Sequence, residues 1–327
     1  MKACRTPAAR ALAWTLVVSP AGMVLAAAGP PGRNSARPEA YYYYSLAQQM
    51  ILERDYLHAL EQLENAARSD SSPSLLLELA QLKFSLNDLA GASALVEKIV
   101  AAEPGMARAH KLLGDIHLSR ARDGGDAEAR IGEAIEQYRS ALLANPVDED
   151  ACRALAELYY HTRRLKEAGE TLQEFSRKRP LDTSLSLLLG KVYARTGRTG
   201  EAEALLSRVV ARLPGDLEAA DALAAVLEYE KKYDEAIALY TPLLERAADS
   251  SYLRGRVGSL HLLAGRYREA IRELQQVQAL DPADTGTLLP LAQAYEGAGE
   301  TAAAIQACER LIRKEPALRR PLVPDLP

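Results

Sequence analysis

The sequence predicts an all-α protein, a solenoid of about eight helix–turn–helix repeats, on the strength of three observations. A self-similar pattern recurs with a period near 34 residues over residues 40–316. Apolar residues within each repeat are spaced three and four apart, so each predicted helix has one apolar face to bury. Short polar turns, several with glycine, separate the two helices of a repeat, and a proline closes most of the repeats.

Four aligned columns define the repeat. The first helix carries a small residue, at Ala47, Ala80, Gly114, Ala156, Gly190, Ala224, Gly258 and Ala292. An aliphatic residue precedes it, at Leu46, Leu79, Leu113, Leu155, Leu189, Leu223, Val257 and Leu291. The second helix always carries an alanine, at Ala59, Ala92, Ala134, Ala168, Ala202, Ala236, Ala270 and Ala304. Four residues later comes a larger apolar residue, at Leu63, Val96, Tyr138, Leu172, Leu206, Tyr240, Leu274 and Cys308.

Each column has a physical reason. Packed helices lie only about 8–10 Å apart, and the small residue and the alanine allow this close approach. A proline donates no backbone hydrogen bond and restricts the residue before it, so the second helix ends there. A single pair of helices is too thin to bury its own apolar face, so we expect neighbouring repeats to share one core.

The repeats are expected to start near residues 40, 73, 107, 149, 183, 217, 251 and 285. This pattern is clearest in LLGKVYARTGRTGEAEALLSRVVARLP (188–214) and LAQAYEGAGETAAAIQACERLIRKEP (291–316), and it resembles the tetratricopeptide repeat (TPR) family. The resemblance covers residues 40–316. It implies a right-handed superhelical solenoid whose first helices line a concave groove.

Residues 1–28 predict a secretory signal peptide. Three basic residues precede the apolar stretch ALAWTLVVSPAGMVLAAA, which a proline interrupts and which ends in small residues. We expect cleavage after Ala28, and a retained membrane anchor is the alternative. Residues 29–39 are rich in proline and glycine and are expected to form a flexible lead-in. The protein is therefore expected to be a secreted or periplasmic bacterial member of the family.

The third repeat holds about eight extra residues within 119–130 (SRARDGGDAEAR). We expect each of its helices to be one turn longer, with Gly124 and Gly125 at the tip and Asp126 as N-cap. A protruding recognition loop is the alternative. The segment DGGDAE lacks the alternating acidic ligands of a calcium loop.

The segment 317–327 holds three prolines and cannot form the capping helix with which repeat arrays normally end. Ile305, Leu311 and Ile312 are therefore expected to lie partly uncovered, unless a partner, a second copy or the extended tail covers them. We hypothesise dimerisation through the last repeat.

Tyr41–Tyr44 open the first repeat. Neighbouring residues on a helix cannot all face one side, so one or two of these tyrosines should be exposed. They are expected to form an aromatic cap over the open end of the repeat. A contact for a partner or a glycan is the alternative.

Composition argues against several classes of function. The formal net charge of −4 argues against a nucleic-acid binder. The histidines and cysteines have no zinc-site spacing, and Cys152 and Cys308 occupy columns expected to be buried. No glycine-rich phosphate loop, nucleophile motif or paired-carboxylate motif occurs. We therefore predict neither enzymatic activity nor a cofactor nor a metal site.

The resemblance implies which positions of the first helices face the groove. Apolar positions at the two ends are Tyr44, Ile51, Leu77 and Phe84, and Leu262, Leu263 and Leu289. The candidate binding residues in the centre are Lys111, Asp115, Arg153, Glu157, Tyr160, Lys191, Arg195 and Tyr229, with Asp221 and Glu228 beside them. An apolar end followed by mixed charge with tyrosines suits an extended or helical peptide.

The predicted function is a non-catalytic protein–protein interaction scaffold. We expect it to be exported, to bind a peptide or protein segment in the groove, and to reach a membrane only through its partners. The alternative is an accessory factor for export or assembly of an envelope polysaccharide or surface fibre, contacted through Tyr41–Tyr44 or Tyr160.

Overall fold

The computed structural model describes residues 38–122 and 126–315, and this part of the chain forms sixteen α-helices in eight pairs. The first helices are α1 (Pro38–Leu52), α3 (Pro73–Ser85), α5 (Ala107–Arg122), α7 (Glu149–His161), α9 (Thr183–Arg195), α11 (Leu217–Tyr229), α13 (Ser251–Leu263) and α15 (Leu288–Gly297). The second helices are α2 (Tyr56–Ser69), α4 (Leu89–Ala102), α6 (Ala127–Ala144), α8 (Leu165–Lys178), α10 (Thr199–Arg212), α12 (Tyr233–Arg246), α14 (Tyr267–Leu280) and α16 (Thr301–Lys314). The prediction of an all-α fold of eight helix–turn–helix repeats is confirmed.

Several sequence predictions fall outside the described residues. These are the signal peptide at 1–28, most of the lead-in at 29–39, the glycines expected at the tip of the third repeat, and the tail at 317–327. Lead-in residues Pro38 and Glu39 belong to α1 instead, because proline fits the first turn of a helix.

The first helices begin close to the expected repeat starts. Six begin at the expected residue, α1 begins two residues early, and α15 begins three residues late. The late start of α15 follows from a turn in which Asp284 Oδ2 accepts a hydrogen bond from the backbone N–H of Thr287 at 2.9 Å.

The helices belong to two compact units. Unit 1 contains α1–α7 with residues 173–179, and unit 2 contains residues 164–172 with α9–α16. In unit 1, side chains from α3, α4 and α5 form one apolar cluster. In unit 2, side chains from α10, α11, α12 and α13 do the same. Within each unit, consecutive repeats therefore share their core.

The predicted columns form this core. The alanine of the second helix is fully buried in the first seven repeats, and the larger apolar residue four positions later is buried in the same seven. The small residue of the first helix is buried in all eight. The alanines thus face the core and not the solvent, as their spacing predicted.

The glycines of the small column are sites of close helix approach. A Cβ atom added at Gly190 would lie 2.5 Å from Cδ2 of Leu206, and one added at Gly258 would lie 2.8 Å from Cγ of Leu274. Leu206 and Leu274 are members of the larger apolar column in the same repeats. The two columns are therefore complementary, since the larger side chain occupies the space that the small residue leaves.

The last repeat departs from the pattern. Ala304 and Cys308 are only half-buried, although both were expected to be buried, whereas Cys152 is buried as predicted. In the preceding repeat, α15 covers the equivalent surface of α14, where Ile271 lies in one cluster with Leu291 and Ala294. No further helix follows α16 among the described residues, so its outer face stays partly exposed.

The turn between paired helices requires a left-handed residue. Gly197, Gly265 and Gly299 have φ between 72° and 79° in this turn, which agrees with the role predicted for glycine there. Four repeats use a side-chain-bearing residue with φ between 61° and 63° at this point, namely Arg54, Asn87, Arg163 and Lys231. The third repeat differs: α5 and α6 have 16 and 18 residues, against 13 and 14 in α9 and α10. Each is about one turn longer, as expected.

Close approach at the small column predicts opposite outcomes for two glycines of the same repeat. Gly190→Ala should lower the free energy of unfolding by about 1–3 kcal/mol, because the new methyl group overlaps Leu206. Gly200→Ala has no atom within 4 Å of the new Cβ and should change stability by less than about 1 kcal/mol. Urea unfolding followed by circular dichroism measures both. Equal effects would contradict the packing described.

Candidate functional site

The first helices carry most of the residues that the sequence singles out for binding, and their outward-facing side chains are called the A-helix surface here. In unit 1, this surface begins with a buried acid. Glu78 of α3 is only 6% exposed, and it accepts hydrogen bonds from the Tyr44 hydroxyl at 3.2 Å and from Gln48 Nε2 at 3.0 Å. Burial raises the pKa of Glu78, against the opposing effects of Tyr44, Arg108 and Gln48. Burial and the nearby Glu78 raise the pKa of Tyr44 to about 12.

A second polar group lies on α5. Lys111 Nζ is 3.0 Å from Asp115 Oδ2, and the hydroxyl of Tyr138 donates to Asp115 Oδ1 at 2.7 Å. Burial alone would lower the pKa of Lys111, but Asp115 and two acids at the start of α7 together raise it. Tyr138 belongs to the larger apolar column of α6, so its ring fills the core while its hydroxyl reaches the A-helix surface.

The candidate residues on α7 are also engaged within unit 1. Arg153 Nη2 lies 3.0 Å from Glu149 Oε1, and Arg179 Nη2 lies 3.2 Å from Glu149 Oε2. The ring of Tyr160 makes an edge contact with that of His161, with the centroids 5.0 Å apart. Glu157 is half-buried. This stretch therefore presents side chains that are already held by their neighbours.

In unit 2, polar contacts join successive first helices. Lys191 of α9 forms a salt bridge with Glu218 of α11. Asp221 of α11 accepts hydrogen bonds from the hydroxyls of Tyr240 and Tyr252, both at 2.7 Å.

Arg256 of α13 completes this network. Its Nε donates to the Tyr240 hydroxyl oxygen at 3.3 Å, and its Nη2 lies 3.4 Å from Glu228 Oε2. Burial and the hydrogen bond to Asp221 raise the pKa of Tyr240. The charges of α11 are thus largely compensated by residues of the same unit.

The exposed part of this surface is apolar. Tyr229, at the end of α11, is 78% exposed, and three other large side chains on α13 and α15 are about half exposed, namely Tyr252, Leu263 and Leu289. Soluble proteins rarely leave several large apolar side chains exposed on neighbouring elements without a binding role. These four residues are the strongest candidates for contact with a partner.

The structure separates the predicted binding residues into distinct classes. Lys111 and Asp115 contact each other, Arg153 and Lys191 are in salt bridges, and Arg195 and Tyr229 are exposed. Leu77 was expected to face the groove, but it is buried in the cluster with α4 and α5, so that prediction is wrong.

Two features escaped the sequence analysis. Tyr252 was not selected, although it lies at a groove position one residue into α13. The hydroxyls of Tyr138 and Tyr240 were also missed. A tyrosine in an otherwise aliphatic column was the available signal, since a buried phenol needs a polar partner.

Other site classes find no support in the described part of the chain. No group of three or more histidine, cysteine or acidic side chains there could hold a metal ion. No helix within residues 38–122 and 126–315 is long and apolar enough to cross a membrane.

The raised pKa of Glu78 predicts a pH-dependent effect of Glu78→Gln. An acid whose pKa is raised by folding stabilises the protein below its ordinary value near 4.5, and this contribution is lost as pH rises through the folded pKa. Relative to wild type, Glu78→Gln should therefore gain stability progressively as pH rises above 4.5, which urea unfolding midpoints would measure. Glu61→Gln, at an exposed position of α2, is the matched control. A difference between Glu78→Gln and wild type that stays constant with pH would refute this account.

Comparison with known proteins places the chain in a family. A family model described as tetratricopeptide repeat matches residues 50–116, 127–184, 228–285 and 261–320, and a second model of the same description matches residues 183–226. No curated protein sequence matches the chain significantly.

Solved structures show the same fold. A tetratricopeptide repeat protein from Parabacteroides merdae ATCC 43184 aligns with a TM-score of 0.52 at 13% identity, over 78% of this chain and 98% of that one. A thermophilic TPR protein of Thermus thermophilus aligns over 57% of this chain and 98% of its own, at 20% identity and a TM-score of 0.43. MamA from Desulfovibrio magneticus RS-1 aligns over 52% of this chain and 96% of its own, at 18% identity and a TM-score of 0.47. Because the family models match most of the residues between 50 and 320, the chain belongs to the tetratricopeptide repeat family.

Proposed function

We propose that this protein is an exported, non-catalytic scaffold that binds a peptide or protein segment on the A-helix surface of its repeats. The repeats and the structural relatives support a protein-interaction scaffold in general. The observation that carries the specific proposal is the exposure of Tyr229, Tyr252, Leu263 and Leu289 on consecutive first helices of unit 2.

The state of the charged residues supports an apolar mode of binding. Lys191 and Asp221 already have partners within unit 2, so a ligand that used them would first have to break those contacts. Exposed aromatic and aliphatic side chains lose no such contacts on binding, and tyrosine is enriched among the residues that dominate interface energies. The favoured ligand is therefore a segment whose apolar side chains cover this patch.

The same polar contacts give the scaffold rigidity. Lys191, Asp221 and Arg256 tie α9 to α11 and α11 to α13, which holds successive first helices in register. A surface that is ordered before binding loses less conformational entropy when the ligand arrives. In this proposal the charged candidates position the surface, and the apolar residues contact the ligand.

Capture of partners from the cell envelope tests the assignment. Tyr229→Ser combined with Leu263→Ser should reduce capture by at least about tenfold, as expected for residues that dominate an interface. Leu213→Ser combined with Leu280→Ser is the matched control, since these exposed leucines of unit 2 lie outside the first helices. Arg153→Glu combined with Arg195→Glu should have a smaller effect than the serine pair.

Equal capture by all variants would remove the A-helix surface as the binding site. Loss with the charge-reversed pair alone would assign binding to the charged centre instead.

Export is the second part of the proposal. Its support is the basic, apolar and small-residue pattern of residues 1–28, together with the proline and glycine that follow. If this segment is a cleaved signal, the protein recovered outside the cytoplasmic membrane should begin at Gly29, as N-terminal sequencing would determine. An intact N-terminus on a membrane-bound protein would support the retained anchor.

A polymer-binding role in polysaccharide or fibre assembly is the second candidate. The observation that favours it is the exposure of Tyr41 and Tyr42 at the start of α1, because exposed aromatic rings also bind sugars. Retention of envelope glycan that is lost with Tyr41→Ala and Tyr42→Ala, but kept with Tyr229→Ser and Leu263→Ser, would favour this candidate.

A further inference from the structure

The outer face of α16 is an unfilled packing site. Ile305 occupies the position that Ile135 and Ile271 occupy in α6 and α14, one residue after the column alanine. Ile271 is 8% exposed because α15 covers it, whereas Ile305 is 55% exposed. Cys308, one turn further along, is half-buried where the earlier repeats bury a large side chain completely. This face has the composition of a covered surface and lacks its cover.

The opposite end of the array is built differently. Gln49 of α1 occupies the position at which Leu82, Val226 and Leu260 are buried in later repeats, and it is exposed. Ser45, one turn earlier, is also polar and exposed. The face that α1 would turn toward a preceding repeat is thus adapted to solvent. It offers no apolar helix to the α16 of another copy, so head-to-tail stacking of two chains is disfavoured.

The chain itself provides a suitable cover directly after α16. Helix α16 ends at Lys314, and the sequence continues as ALRRPLVPDLP over residues 317–327. A polyproline II helix has three residues per turn, so Leu318 and the prolines at 321, 324 and 327 would share one face. Val323 and Leu326 would lie on a second face. An extended segment of this kind therefore presents apolar side chains along most of its length.

The dimensions and charges agree with this pairing. Eleven residues of polyproline II span about 34 Å, and the fourteen residues of α16 span about 21 Å, so the segment can run back along the whole helix. Glu309 lies exposed on the same helical stripe as Ile305 and Ile312, and the segment carries two arginines, at 319 and 320. The prolines also fix part of the backbone in advance, which lowers the entropy cost of docking.

We propose that residues 317–327 bind back along α16 as an extended strap that covers Ile305, Cys308 and Ile312. The covalent connection gives the strap an effective concentration of about millimolar, so it competes well against a second copy at ordinary protein concentrations. The strap replaces the dimerisation through the last repeat that the sequence suggested, and it completes the core at the end that lacks a further repeat.

Cys308 provides a direct test, because its thiol lies on the proposed contact. In the full chain with Cys4→Ser, labelling of Cys308 by a maleimide should be slow. A chain ending at residue 316, or the Leu318→Asp and Val323→Asp double variant, should label at least about tenfold faster. Leu143→Asp, at an exposed position of α6, is the matched control and should leave the rate unchanged.

Buried Cys152 distinguishes local uncovering from unfolding, since its labelling should remain slow in every variant. Equal Cys308 rates in the full and shortened chains would overturn the strap. A rate that falls as protein concentration rises, together with a doubled mass in sedimentation, would also overturn it in favour of a second copy.

Discussion

The structure depends on one constraint, which is that a pair of helices cannot bury both of its apolar faces and needs the next repeat to do so. The last two repeats demonstrate it. Helix α15 covers Ile271 of α14, while the equivalent Ile305 of α16 remains exposed. The small columns follow from the same constraint, because the shared core forms only where helices approach closely. Gly190 against Leu206 is the clearest instance.

Polar residues have a different task on the A-helix surface. Asp221 receives two tyrosine hydroxyls, one from the second helix of its own repeat and one from the next first helix. It therefore links the core to the surface and one repeat to the next. Such contacts fix the register of the first helices and leave apolar side chains such as Tyr229 exposed between them. Architecture and binding are thus assigned to separate residues of the same helices.

Much of the fold could be predicted from the sequence because side-chain size records helix approach directly. A column of small residues and a column of alanines locate both helices of each repeat to within a few residues. The pairing of Lys191 with Glu218 could not be predicted, since it depends on the register between repeats. Leu77 was misassigned because a groove position inferred from a resemblance ignores burial by the neighbouring α5. Exposure, which singles out the binding candidates, is a property of the packed array and not of any one repeat.

The central claim is most directly tested by measuring how helix content depends on repeat number. The segment 217–247 holds α11 and α12 alone, and the segment 217–315 holds three consecutive repeats of unit 2. Circular dichroism with urea titration should find the single pair largely unfolded and the three-repeat segment helical, with a cooperative transition. A single pair that was as helical per residue and as resistant to urea as the longer segment would contradict the account.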